Sequence, residues 1–125
     1  LPTNSRSIEP SFIADLYRET ENLTGQEIAR RRVKVALVGQ VMVLEKVSGI
    51  VAGHIRDSSL QPGTLALAMR ITTKTEGYSN IIEYPSLVGS TLYVEGYLAR
   101  PLIQVSATSP TLILLCTKVL VKSLL

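Results

Sequence analysis

Ile50-Val51-Ala52-Gly53-His54-Ile55-Arg56-Asp57-Ser58-Ser59 decides the architecture of this chain, because an apolar strand runs there straight into a polar turn built on one carboxylate. Upstream, residues 33–47 form a long β-branched run interrupted by Gly39. Downstream, residues 64–72, 91–99 and 111–121 repeat the pattern, each bounded by Gly, Pro or Ser. Five strands in that rhythm predict a closed all-β barrel.

Within the first run, Val33, Val35 and Leu37 give way to Gln40, Met42 and Leu44, so the alternation slips register around Gly39 and predicts a bulge or sharp bend there. A first strand that is long and curved because it serves both sheets is the geometry of a five-stranded OB-fold. Ser48-Gly49 turns the chain into the second strand and Gln61-Pro62-Gly63 into the third, where Leu65, Leu67 and Met69 alternate with Ala66, Ala68 and Arg70. Residues 73–86 are polar at first, then carry Tyr78, Ile81, Ile82 and Tyr84 near helical spacing before Pro85, where an OB-fold places its connecting helix. Leu87-Val88-Gly89-Ser90 leads into the fourth strand, and Pro101 with Thr108-Ser109-Pro110 brackets a loop before the fifth.

Ahead of the barrel, Pro10 suits a first helical turn, and Ile8, Phe12, Ile13, Leu16 and Tyr17 fall on one helical face through about Thr20. That face is expected to pack on the barrel through Ile8, Phe12 and Leu16, with Phe12→Ala costing roughly 3 kcal/mol. Thr24 and Glu27 have capping-box spacing for a short helical turn over 25–31, Gly25 alternatively ending the first helix. The domain organisation is one domain over 1–125, with a helical segment at 1–32 and the barrel at 33–121.

At 125 residues and 46% hydrophobic content the chain supports a single core. A net charge of +3 falls short of the dense basic stripe that dominates phosphate binding. His54 is the only histidine and Cys116 the only cysteine, so neither a zinc cluster nor a cysteine–histidine pair with further histidines assembles; no metal, cofactor, small-molecule substrate or catalytic group is expected. Glu19 and Glu21 are read as solvated charges. Cys116 sits in an apolar run and reads as a core thiol, with a reducing compartment, nucleus or cytosol, as the inference. The longest apolar run is far below the ~20 residues of a membrane span, and no basic region followed by an apolar stretch opens the chain.

Between residues 33 and 77 there is no Phe, Tyr or Trp, so the face on which OB barrels commonly stack bases carries no ring. Arg30-Arg31-Arg32 reads as a solvated start to the first strand or as a phosphate contact. Asn22-Leu23-Thr24 matches a glycosylation acceptor without a secretory signal, and Tyr93 and Tyr97 share one face of the fourth strand. Asp57 has two compatible readings. It can accept from backbone N–H groups and hold the turn after strand two, or, with Arg56 and Ser58, present charge to a protein partner. On the first reading Asn at 57 keeps the turn while removing the charge.

Two separated pieces resemble a known family. Ile8-Glu9-Pro10-Ser11-Phe12-Ile13-Ala14-Asp15-Leu16 is similar to the hydrophobic-x-Pro-Trp-Ile helix start of the small telomerase subunits of budding yeasts, the Ever Shorter Telomeres three family, with Ser11 where that family has Trp. Ile55-Arg56-Asp57-Ser58-Ser59 resembles the turn after that family's second strand, a layout shared with the OB domain of the shelterin subunit that recruits telomerase. The resemblance implies a noncatalytic, nuclear accessory subunit at telomeres that contacts the telomerase catalytic protein and holoenzyme, with weak or indirect nucleic-acid contact. It carries Asp57 over as a partner-binding residue with Arg56 beside it, and Glu76 and Glu83 from the segment resembling the family's acidic contact region. The alternatives are a small OB subunit of a single-stranded DNA-binding telomere-capping or replication complex, or an RNA-binding barrel from a larger enzyme.

Overall fold

β1 (Lys34–Val47) organises the molecule, because its 14 residues serve two partners in succession. In the computed structural model, which describes residues 8–32, 34–102 and 110–125, residues 34–40 pair antiparallel with β4 (Thr91–Ala99). Residues 40–47 pair with β2 (Ile50–Arg56). Gln40 is the hand-over point, opposite Thr91 on one side and Arg56 on the other. β3 (Leu67–Thr72) follows β2 in an antiparallel hairpin. β5 (Ile113–Ser123) closes the ring, antiparallel to β4 and parallel to β3, giving the barrel order β1-β2-β3-β5-β4. This is the expected five-stranded barrel.

Gly39 pairs with Leu92 in an unbroken ladder, which corrects the expected position of the bulge. A Cβ there would meet Arg56 O at 2.6 Å and Ile55 Cγ1 at 2.7 Å, so only glycine lets β1 pass this close to β2. The register shift lies between Val41 and Val43, after β1 has left β4, and the residue there has a single neighbouring strand to accommodate.

Inward-facing Leu37, Val41, Val51, Ile55, Leu67, Met69, Ile71, Leu92, Val94 and Leu114 fill the barrel, all essentially removed from water. Each such side chain contributes about 1.5–3 kcal/mol of transfer free energy. Cys116 is buried as expected, and burial pushes its thiol up to about 12. Among the described residues no helix is long and apolar enough to cross a membrane.

Helices close both ends. α3 (Tyr78–Ile81) follows β3 where the sequence places it, inserting Ile81 at the end marked by Ile50; Lys46, near that end of β1, donates to Tyr84 O at 2.7 Å. α1 (Ile13–Thr20) and α2 (Gly25–Arg31) precede the barrel. The Thr24–Glu27 capping box is present in both directions, so Gly25 opens α2 rather than ending α1.

α1 differs from expectation in its phase. Phe12 is the N-cap, with extended backbone, and is 56% exposed. The buried positions are Ile13, Leu16 and Thr20, at i, i+3 and i+7. Pro10 precedes the helix in a segment held against β1, where Ser11 N donates to Ala36 O at 2.8 Å. Of the loop expected before β5, Thr108 and Ser109 lie outside the described residues, as does Val33 at the start of the first run.

Candidate functional site

The N-terminus of α1 has no local cap, since Phe12 carries no hydrogen-bonding side chain, so its leading amides need acceptors from elsewhere. Asp57 and Ser59 supply them. Asp57 Oδ2 accepts from Ile13 N at 2.8 Å, and Ser59 Oγ accepts from Ala14 N at 3.0 Å. Asp57 Oδ1 accepts from Ser59 N at 2.9 Å and from the Ser59 hydroxyl, which fixes the hydroxyl oxygen toward α1. A carboxylate at a helix N-terminus also opposes the positive end of the helix dipole. Both oxygens are therefore engaged by different donors, so Asn is not equivalent here: its amide nitrogen would face an N–H group.

Arg56 secures the loop that follows. Its guanidinium donates to Thr64 O at 2.7 Å and to Gln61 O at 2.9 Å, tying both sides of the Pro62-Gly63 turn to the end of β2. Ser58 is exposed at the top of this loop. Arg100 performs the matching task at the far end of α1, donating to Leu23 O and Thr111 O at 3.1 Å each and also to Thr20 O. Tyr17 completes the attachment by donating to Ala66 O at 2.7 Å, and burial raises its phenol to about 12.

Glu76 and Glu83 lie elsewhere. Thr72 pairs with Ile50 while Leu67 pairs with Ile55, so the segment after β3 emerges at the end of β2 opposite Asp57, roughly 20 Å away along the strand. Both glutamates are exposed there, Glu76 with Lys118 Nζ at 3.9 Å. The four residues thus divide into Arg56 with Asp57 at one end and two glutamates at the other.

Sequence reasoning missed Ser59 and Arg100 as partners of α1. The Asp-Ser-Ser triplet carried a turn signal, but nothing local shows that its acceptors reach a helix 44 residues upstream. On the outer face of β2 and β3 stand Ala52, His54, Arg56, Ala68, Arg70 and Thr72, with no Phe, Tyr or Trp among them. Among the described residues no group of three or more His, Cys, Asp or Glu side chains is placed to hold a metal.

No family model matches this chain and no curated protein matches it. Solved structures do. OBody AM2EP06 bound to hen egg-white lysozyme is similar at a TM-score of 0.63 and 15% identity, over 95% of this chain and 100% of that one. OBody AM3L09 bound to hen egg-white lysozyme follows at 0.59 and 12%, over 85% and 93%. Aspartyl tRNA synthetase from Entamoeba histolytica matches at 0.55 and 14%, over 94% of this chain and 25% of that one. At these identities the likeness establishes the fold alone, an OB barrel.

Proposed function

We propose that this chain is a noncatalytic accessory subunit of telomerase, an OB-fold docking module that acts in the nucleus at telomeres. The observation that carries this reading is the clasp on α1. The two short pieces that resemble the small telomerase subunits, 8–16 and 55–59, are the two that meet through Asp57, Ser59, Ile13 and Ala14. Two motifs joined by direct hydrogen bonds form one structural unit, which supports treating them as a linked signature rather than separate coincidences.

On this reading Asp57 is a positioning residue. It sets the pose of α1 and leaves Phe12 and Ser58 exposed beside it as the docking surface. The outer face of β2 and β3, which carries no Phe, Tyr or Trp, supports a protein partner over a stacked single strand. Affinity purification of the tagged protein from its source, assayed for telomerase RNA and activity, tests the proposal. Recovery of telomerase is the expected result; recovery of other DNA-binding subunits, or of a synthetase, without telomerase overturns it. A companion measurement is fluorescence anisotropy with telomeric oligonucleotides, where submicromolar binding at physiological salt counts against a protein-docking barrel.

A further inference from the structure

A row of side chains crosses the outer face of the barrel where β3, β5 and β4 run side by side. Arg70 is opposite Leu115, Leu115 is opposite Tyr97, and Tyr97 is opposite Lys34 of β1. Paired residues share a face, so these four line up. Arg70, Leu115 and Tyr97 floor an open groove of about 510 Å³, lined also by Ala29, Arg32, Thr72 and Thr117. Among the described residues no carboxylate lines it. Glu95, the nearest acid along β4, is committed to Tyr93 and Lys34.

One of the groove's two cations is held and the other is open. Arg32 ends α2 in the left-handed region, φ 45°, a conformation that costs a non-glycine residue about 1–2 kcal/mol. That backbone places its guanidinium 5.5 Å from the centroid of Tyr97. A glycine precedes Tyr97 on β4. At Gly96 a Cβ would meet Leu115 O at 2.1 Å, so β4 and β5 come close beside the register shift between Glu95 and Gly96. Arg70, across the groove, is exposed, and its guanidinium makes no hydrogen bond to a described residue.

We infer that this groove binds an acidic, extended segment of a protein partner, with carboxylates three residues apart and an apolar residue between them over Leu115. Two strand spacings separate the backbones at Arg70 and Tyr97, roughly 10 Å. Three residues of polyproline-like chain advance about 9.3 Å and return to the same face. The chemistry favours a peptide over a nucleic acid strand, because Arg32 already occupies a face of the groove's one ring and the floor is largely aliphatic. This inference rests on the protein-docking reading and names the chemistry of what docks.

The test uses the whole chain and a labelled peptide, Glu-Leu-Pro-Glu-Leu-Pro-Glu, read by fluorescence anisotropy. Binding in the micromolar range is expected, weakening between 50 and 200 mM salt. Arg70→Ala and Arg32→Ala should each weaken it about tenfold without moving the thermal midpoint, and Arg70→Lys should recover part of the loss. No binding at about 1 mM overturns the inference, as does equal binding of the Gln-substituted peptide. Tighter binding of oligo(dT), abolished by the same substitutions, overturns it in favour of nucleic acid. Telomerase recovery with the wild-type protein is scored separately, so loss of the telomerase reading leaves the peptide result standing and the reverse also holds.

Discussion

The two arginine-bearing regions of this barrel use the same side chain in opposite ways. At the Asp57 end, Arg56 and Arg100 spend their guanidinium hydrogen bonds on backbone carbonyls, and both Asp57 oxygens are taken by α1 and Ser59. Across the β3–β5–β4 face, the Arg70 guanidinium makes no hydrogen bond to a described residue and Arg32 touches an aromatic ring. Charge is consumed in construction at the first region and left available at the second. A charged residue in a short motif is therefore a poor guide to where a partner sits, since the motif can be conspicuous because it builds the fold.

Alkaline pH puts the largest load on this contrast, because each region holds one buried acid whose proton is retained by folding. Cys116, under the groove, is raised from 9.0 to about 12, and Tyr17, on the clasped helix, from 10.0 to about 12, in both cases through burial. The unfolded chain releases these protons first, so their contribution is complete below pH 9 and declines as pH rises toward 12. Denaturant midpoints from pH 8 to 12 should fall from about pH 9. Cys116→Ala should move the onset toward pH 10; an unmoved onset would remove the thiol from the account.

Core packing at the clasped end comes next. Leu16→Ala, at a residue 3% exposed, should cost about 3 kcal/mol by chemical denaturation. Phe12→Ala, four residues earlier, should cost below about 1 kcal/mol, since the ring is half in water. Equal losses at the two positions would restore the helix phase expected from sequence.

Asp57 sharpens the comparison further. Asp57→Ala leaves Ile13 N and Ser59 N without acceptors and should cost about 2 kcal/mol. Asp57→Asn keeps one acceptor and should cost about 1 kcal/mol. Telomerase recovery should follow stability across the two variants. If Asp57→Asn melts like the wild type yet loses telomerase, the carboxylate is itself a contact.

The smallest effect is expected at the open face. Arg70→Ala should change stability by no more than about 0.5 kcal/mol, as for an exposed side chain without a hydrogen-bond partner among the described residues. A loss near that of Asp57→Ala would show that the groove, too, is part of the scaffold.

Local chemistry was legible wherever cause and consequence lie close in sequence. The strands follow from alternation, α2 from the Thr24–Glu27 spacing, and the turns at Gly49 and Gly63 from the residues that form them. The phase of α1 is not legible in its own sequence, because its cap is supplied from Asp57 and Ser59 and no signal at Phe12 marks the start. The bulge was placed at Gly39 because the glycine is visible in sequence, whereas the change of strand partner at Gln40 that displaces it to Met42 is not. The groove escaped for the same reason. Arg32, Arg70, Tyr97 and Leu115 become neighbours only through cross-strand register.

The distance between α1 and its cap also has a consequence for timing. A helix of eight residues is well below the ~12–15 at which isolated helices become even marginal, so α1 depends on Asp57, Ser59 and the barrel end. At a synthesis rate of about 5–20 residues per second, the 44 residues between Ile13 and Asp57 impose a delay of roughly 2–9 s before the acceptors exist. Through that interval the segment emerges without its clasp, and α1 becomes permanent only after the loop following β2 has formed.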